Sequence, residues 1–150
     1  MILLNNLNKK IIKKLHIMKK FLVLFSFMLI ALTSFAQSVQ EYQATSFAYK
    51  TTDYYGNWSS WSDWQNSSVR IKFDLSEDMI VIYSKEIQVF AIYSSIDTPY
   101  DPTGQQVGFA AYDGDGVKCH IRLRIENNGN SQIYCDYSNI SYVYNVKRIR

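Results

Sequence analysis

Between Val117 and Tyr137 apolar and polar residues alternate almost without interruption. Cys119, Ile121, Leu123 and Ile125 alternate with Lys118, His120, Arg122 and Arg124. Beyond Asn127-Asn128-Gly129, Ile133, Cys135 and Tyr137 alternate with Gln132, Tyr134 and Asp136. A period of two with one apolar parity belongs to a strand that buries one face. Asn-Asn-Gly suits a three-residue hairpin loop, a type I turn closed by glycine in the left-handed region. Such a loop pairs Glu126 with Asn130, and hence Ile121 with Cys135. The odd-numbered residues of both arms then share one face, so turn chemistry and hydrophobic pattern ask for the same register.

The same pattern recurs along the chain. Val69, Ile71, Phe73 and Leu75 alternate with Arg70, Lys72 and Asp74, and Ile140, Tyr142, Tyr144 and Val146 form another apolar parity. Met79–Ser84 and Ile87–Ser94 are apolar on both parities, which predicts strands covered on both sides. Gln106–Tyr112 reads as a strand rich in small residues. In Glu41–Thr51, Tyr42, Ala44, Ser46 and Ala48 lie on one parity and Gln43, Thr45, Phe47 and Tyr49 on the other, so the buried face of this strand stays open. Tight turns are expected at 76–78, 85–86 and 113–116. Loops are expected at 53–68 and at 96–104, the latter holding Pro99 and Pro102. About eight short strands, tight turns and no helix predict an all-β domain. The expected architecture is an antiparallel up-and-down meander closing into a small barrel, with a β-sandwich as the alternative. Closure would leave no unpaired strand edge.

Charge separates a leader from the domain. Six of the 16 Lys and Arg residues precede residue 37 and none of the 13 acidic residues does. Ten basic residues then face 13 acidic ones over residues 37–150, a formal charge of −3. A weakly acidic domain carries no electrostatic footprint for nucleic acid. Lys19-Lys20, the apolar run Phe21–Leu32 and the small-x-small site Ser34-Phe35-Ala36 have the parts of a secretory signal peptide cleaved after Ala36. Met18 is the expected start, residues 1–17 being an extension ahead of it. The apolar run is short of the roughly 20 residues of a membrane span. The expectation is an exported protein, periplasmic or secreted and not membrane-spanning after cleavage, with residues 37–150 as its single domain.

Export permits a disulfide between Cys119 and Cys135. The inferred register makes them diagonal neighbours, near the reach limit of a bridge, so two buried free thiols are the favoured reading. His120 is the only histidine after the leader, and it alternates to the face opposite both cysteines. No common hydrolase motif, metal-ligand spacing or phosphate loop is present, so no enzyme activity, metal or other cofactor is expected. Asp97, Asp101 and Asp113 read as solvated loop carboxylates. The unusual feature is Trp58, Trp61 and Trp64, spaced every third residue after Tyr55. These three, with Tyr55 and the proline-flanked Tyr100, are the candidate ligand-binding residues, because such side chains combine stacking area with a polar tip. The alternative is that the indoles plug one end of the barrel.

Trp58–Trp64 resembles the tryptophan ladder of thrombospondin type 1 repeats, without that family's cysteine-rich continuation. The chain as a whole is similar to small exported lipocalin-like β-barrels of bacteria. That resemblance rests on the leader, the eight-strand meander and an early tryptophan, Gly56-Asn57-Trp58 being the nearest match to the lipocalin GxW motif. It implies a non-enzymatic binder of a small apolar or amphipathic ligand, held in the barrel. A protein-interaction or inhibitor domain using the loops at 53–68 and 99–104, and a carbohydrate-binding module, are the other expected functions.

Overall fold

The computed structural model describes residues 39–150. Its strands are β1 (Val39–Thr51), β2 (Gln65–Asn66), β3 (Arg70–Asp74), β4 (Met79–Tyr83), β5 (Ile87–Ile96), β6 (Gly104–Tyr112), β7 (Lys118–Glu126), β8 (Ser131–Asp136) and β9 (Ile140–Arg148). From β3 to β9 each strand pairs antiparallel with the next, and β3 pairs with β1. β9 returns onto the other edge of β1, from Tyr42↔Arg148 to Thr51↔Ile140. That seam closes an eight-stranded barrel and decides against the sandwich. The two-residue β2 lies on the edge of β1 beyond β3. The leader and the two start sites lie outside the described residues.

The β7–β8 hairpin forms as its sequence demands. Glu126 N donates to Asn130 O at 2.8 Å, Gly129 N donates to Glu126 O at 2.9 Å, and Gly129 has φ +87°. Ile121 sits across from Cys135 and Leu123 across from Ile133, all four buried. The β3 expectation needs one correction. Leu75 is exposed, because the strand ends at Asp74, whose side chain organises the turn instead. Asp74 accepts from Ser76 Oγ at 2.7 Å and from Lys72 Nζ at 2.8 Å. In β4, Ile80 and Ile82 point into the core while Val81 is covered on the outside; in β5, by contrast, Ile87 and Val89 are exposed.

The open question in β1 is resolved by a bulge at Thr45, where the pairing steps from Ala44↔Val146 to Ser46↔Asn145. One extra residue reverses the parity of a strand. Tyr42 and Ala44 therefore point inward before the bulge, and Phe47 packs into the core after it, stacked on Tyr144 with ring centres 6.1 Å apart. Ala48, paired with Val143, is thereby turned outward.

The middle of the barrel is filled. Ile71, Ile80, Ile82, Phe90, Ile121 and Ile133 are almost wholly buried. Phe73 from β3 touches Tyr42 from β1 at 5.8 Å and Phe109 from β6 at 6.1 Å, ring centre to ring centre. An eight-stranded barrel has an interior just wide enough for side chains to fill. The outward parities carry Arg70, Lys72, Arg122, Arg124, Asp136 and Lys147, with ion pairs such as Arg122–Asp136 at 2.7 Å. No helix among the described residues is long and apolar enough to cross a membrane.

Candidate functional site

The tryptophans neither plug the barrel nor enter it. Residues 58–67 run down the outside edge of β1 as a strap. Thr52 bridges to Trp58, Ser59 N donates to Thr51 O at 2.8 Å, and Ser62 N donates to Tyr49 O at 2.8 Å. Gln65 then pairs with Phe47, and Ser67 N donates to Thr45 O at 3.0 Å. The strap thus spends three residues for every two of β1. Its surplus would leave β1 N–H groups unsatisfied, and the serine hydroxyls answer this by accepting from Thr51 N at 3.2 Å and from Tyr49 N at 3.1 Å. A repeat of three then aims the indoles to one side.

That side is the outer wall. Lys50 Nζ lies 4.8 Å from the Trp58 ring centre and 4.9 Å from that of Trp61. Trp61 reaches past β1 and β9 to meet Tyr134 of β8, ring centres 6.4 Å apart. Beneath this crossing lie Ala48 and Val143, only 1% and 3% exposed although both point away from the barrel axis. The strap is therefore cladding over the closing seam. Its indoles still keep 40–51% of their surface exposed.

The other two candidates do not join them. Tyr55 stands fully out on the turn Asp53–Asn57, whose Asp53 carboxylate accepts from the backbone N–H of Tyr55 and of Asn57, each at 2.9 Å. Tyr100 is 91% exposed in the 97–103 loop, at the end of the barrel where β7 turns into β8. The strap starts from the opposite end, where β8 turns into β9. The loop carboxylates divide the same way: Asp101 pairs with Arg124 at 2.9 Å at one end, and Asp113 sits at the other.

The end that holds Asp113 carries a concavity of about 270 Å³, lined by Gln88, Tyr137, Ile140, Tyr142 and Tyr144. Gln88 comes from β5 and Tyr142 and Tyr144 from β9, so this hollow spans the barrel mouth. The sequence placed these tyrosines on the apolar parity. A polar-tipped ring on a buried parity is the sequence signal that marks them. Tyr137 donates to Asp113 Oδ2 at 3.1 Å, while Asp113 Oδ1 accepts from Val117 N at 2.8 Å and Asp115 N at 3.0 Å. The Val117 N–H above all, with the Tyr137 hydroxyl, holds the Asp113 carboxyl below the usual carboxylate range. Tyr144 is only 8% exposed, and among the described residues its hydroxyl makes no hydrogen bond although it lines the hollow. Burial pushes the phenols of Tyr137, Tyr142 and Tyr144 upward, so all three stay neutral at physiological pH.

Cys119 and Cys135 lie just below the mouth, buried and unbonded. Burial pushes the Cys119 thiol up to about 11, and Cys135 is pushed up by the same cause. Both are protonated at neutral pH and unsuited to nucleophilic work. A consequence for stability follows. Above the ordinary thiol pKa the unfolded chain loses these protons while the folded barrel keeps them, so stability falls as pH rises. Above about pH 9 each thiol is expected to lower stability by on the order of 1 kcal/mol per pH unit. Urea unfolding at pH 8, 9 and 10 measures the slope, and the Cys119→Ala/Cys135→Ala variant should flatten it whatever its stability at pH 7.

Comparison of the chain with protein-family models, with curated proteins and with solved structures finds no match.

Proposed function

We propose that this chain is an exported, non-enzymatic binding module that seats a small amphipathic ligand at the mouth of its barrel. The lipocalin-like reading put the ligand inside; the packed centre moves it to the rim. The observation that carries the proposal is the hollow itself, walled by the rings of Tyr137, Tyr142 and Tyr144 with Gln88 and Ile140, into which the Tyr144 hydroxyl opens without a protein partner among the described residues. A hydroxyl open to the hollow can exchange water for a ligand group, a hydrogen bond with a net worth of about 0.5–1.5 kcal/mol. Ligand sites recur at barrel mouths, where mostly aromatic walls carry a few polar groups. The hollow is slightly below the usual range of about 300–1,000 Å³, which fits a small ligand. Protonated thiols and an outward His120 support a binding role over catalysis. Export rests on the leader. Intact mass of the protein secreted by its own host should begin the chain at Gln37, and a retained residue 18–36 segment would refute that part.

Titration with 3,3-dimethylbutan-1-ol, a small neutral amphiphile, tests the mouth by NMR. Signals of Gln88, Ile140, Tyr142 and Tyr144 should move together. Tyr144→Phe should leave folding stability within about 0.5 kcal/mol yet weaken binding two- to ten-fold, the worth of one hydrogen bond. Unmoved signals at millimolar probe would sink the proposal.

A second reading has its own observation. An outer groove of about 480 Å³, lined by Thr45, Asn130, Gln132, Asn145 and Lys147 among others, lies along β8 and β9. Its amides are preset: Tyr134 hydroxyl donates to Gln132 Oε1 at 2.7 Å, and Gln132 Nε2 to Asn145 Oδ1 at 2.9 Å. Fixed planar amides suit a glycan or a polar protein surface. A glycan array with Gln132→Ala as control tests this, and an array without Gln132-dependent hits removes it.

A further inference from the structure

Resting on the mouth as the ligand site, we infer that it selects a small organic cation, of the quaternary or alkylated ammonium class, over neutral ligands of the same shape. Several rings of the outer wall differ from those of the mouth. There, five aromatic faces are capped by the protein's own cations, while among the described residues Trp64 and Tyr93 are not: Lys50 lies by Trp58 and Trp61, Arg122 over Tyr134 at 4.5 Å, Arg70 over Tyr83 at 4.8 Å and Lys118 over Tyr112 at 5.8 Å. Tyr137, Tyr142 and Tyr144 have no such cap among the described residues, and no lysine or arginine lines their hollow.

Lys85 and Lys118 lie at the same end of the barrel but outside the lining of the hollow. The fixed charge bonded to its wall is the Asp113 carboxylate, locked by two backbone N–H groups and the Tyr137 hydroxyl. A phenol that donates to a carboxylate becomes more electron-rich, which strengthens the negative face of its ring. Aromatic faces attract ammonium groups, with about 2 kcal/mol or more when the pair is desolvated. Within the hollow an anion would meet the same carboxylate and neutral phenols. A methylated ammonium also matches the apolar character of the lining, since it offers no donors that rings alone would leave unsatisfied. A hydroxyl on the same molecule can take up the Tyr144 oxygen.

The test compares choline with 3,3-dimethylbutan-1-ol, which replaces nitrogen by carbon at nearly constant shape, by NMR titration and calorimetry on the folded chain. Choline should bind at least tenfold more tightly. Tyr142→Leu, which keeps bulk and loses the ring, should reduce choline affinity several-fold and leave the alcohol's nearly unchanged. Asp113→Asn, which keeps an acceptor for the turn, should weaken choline alone. Equal binding of both probes overturns the cation preference and leaves the mouth as a site. Binding of neither, with the Tyr144 signal unmoved, overturns the mouth itself.

Discussion

Phe73→Ala is expected to cost about 3–5 kcal/mol, measured by urea unfolding at neutral pH. Phe73 is 3% exposed and joins the two sides of the barrel, touching Tyr42 of β1 and Phe109 of β6. No neighbour can relax far enough to refill its volume, because tight packing on every side resists collapse. The same substitution should open an apolar void at the barrel centre that takes up benzene or xenon, as dry engineered cavities do. The parent protein should take up neither there. Were the parent to bind benzene at its centre, or the variant to lose less than about 1 kcal/mol, the barrel would be hollow. The ligand would then belong inside, as the lipocalin likeness implies, and not at the mouth.

Ala48→Lys is expected to destabilise by about 2–4 kcal/mol through overpacking and a charge without solvent. The expectation runs against the position's direction, since an outward side chain on a bare barrel wall would reach water at little cost. Here the strap covers it. Prying Trp61 from Tyr134 should also shift indole emission to longer wavelength before global unfolding. His120→Lys is the control, outward on β7 and exposed, and surface exchanges of that kind stay within about 0.5 kcal/mol. If Ala48→Lys proves as mild as the control, the tryptophans are a free surface and not cladding. The glycan or protein reading of the strap would then gain at the expense of the mouth.

The two results bear on how the molecule divides its work. The strap's hydrogen bonds to β1 and its indoles over Ala48 and Val143 protect the seam between the first and last strands, where closure depends on residues about a hundred positions apart, such as Ser46 and Asn145. Closing so long a loop carries the largest entropic cost of any pairing in the barrel. A second layer outside that seam is a physical reason for placing three tryptophans in a polar segment. The mouth, by contrast, holds polar groups that nothing in the fold consumes.

Local chemistry in the sequence was enough for the strands themselves. Alternation at 119–125, 133–137, 69–73 and 140–146, the Gly129 turn and the absence of helical periodicity depend on neighbours within a few residues, so the β7–β8 register could be read directly. Phase was lost where the chain departs from a period of two. One bulge at Thr45 inverts β1, and nothing in Tyr42–Tyr49 announces it, because apolar residues occupy both parities. The tryptophan repeat shows its spacing but not its support, since which wall the indoles cover depends on β1 lending its outer edge. Tyr55 and Tyr100 share composition with the tryptophans and nothing else, being set at different ends by intervening strands. The mouth is a property of tertiary structure alone: Gln88 and Tyr144 meet only because the sheet closes, and a linear pattern carries no term for what lies across a barrel.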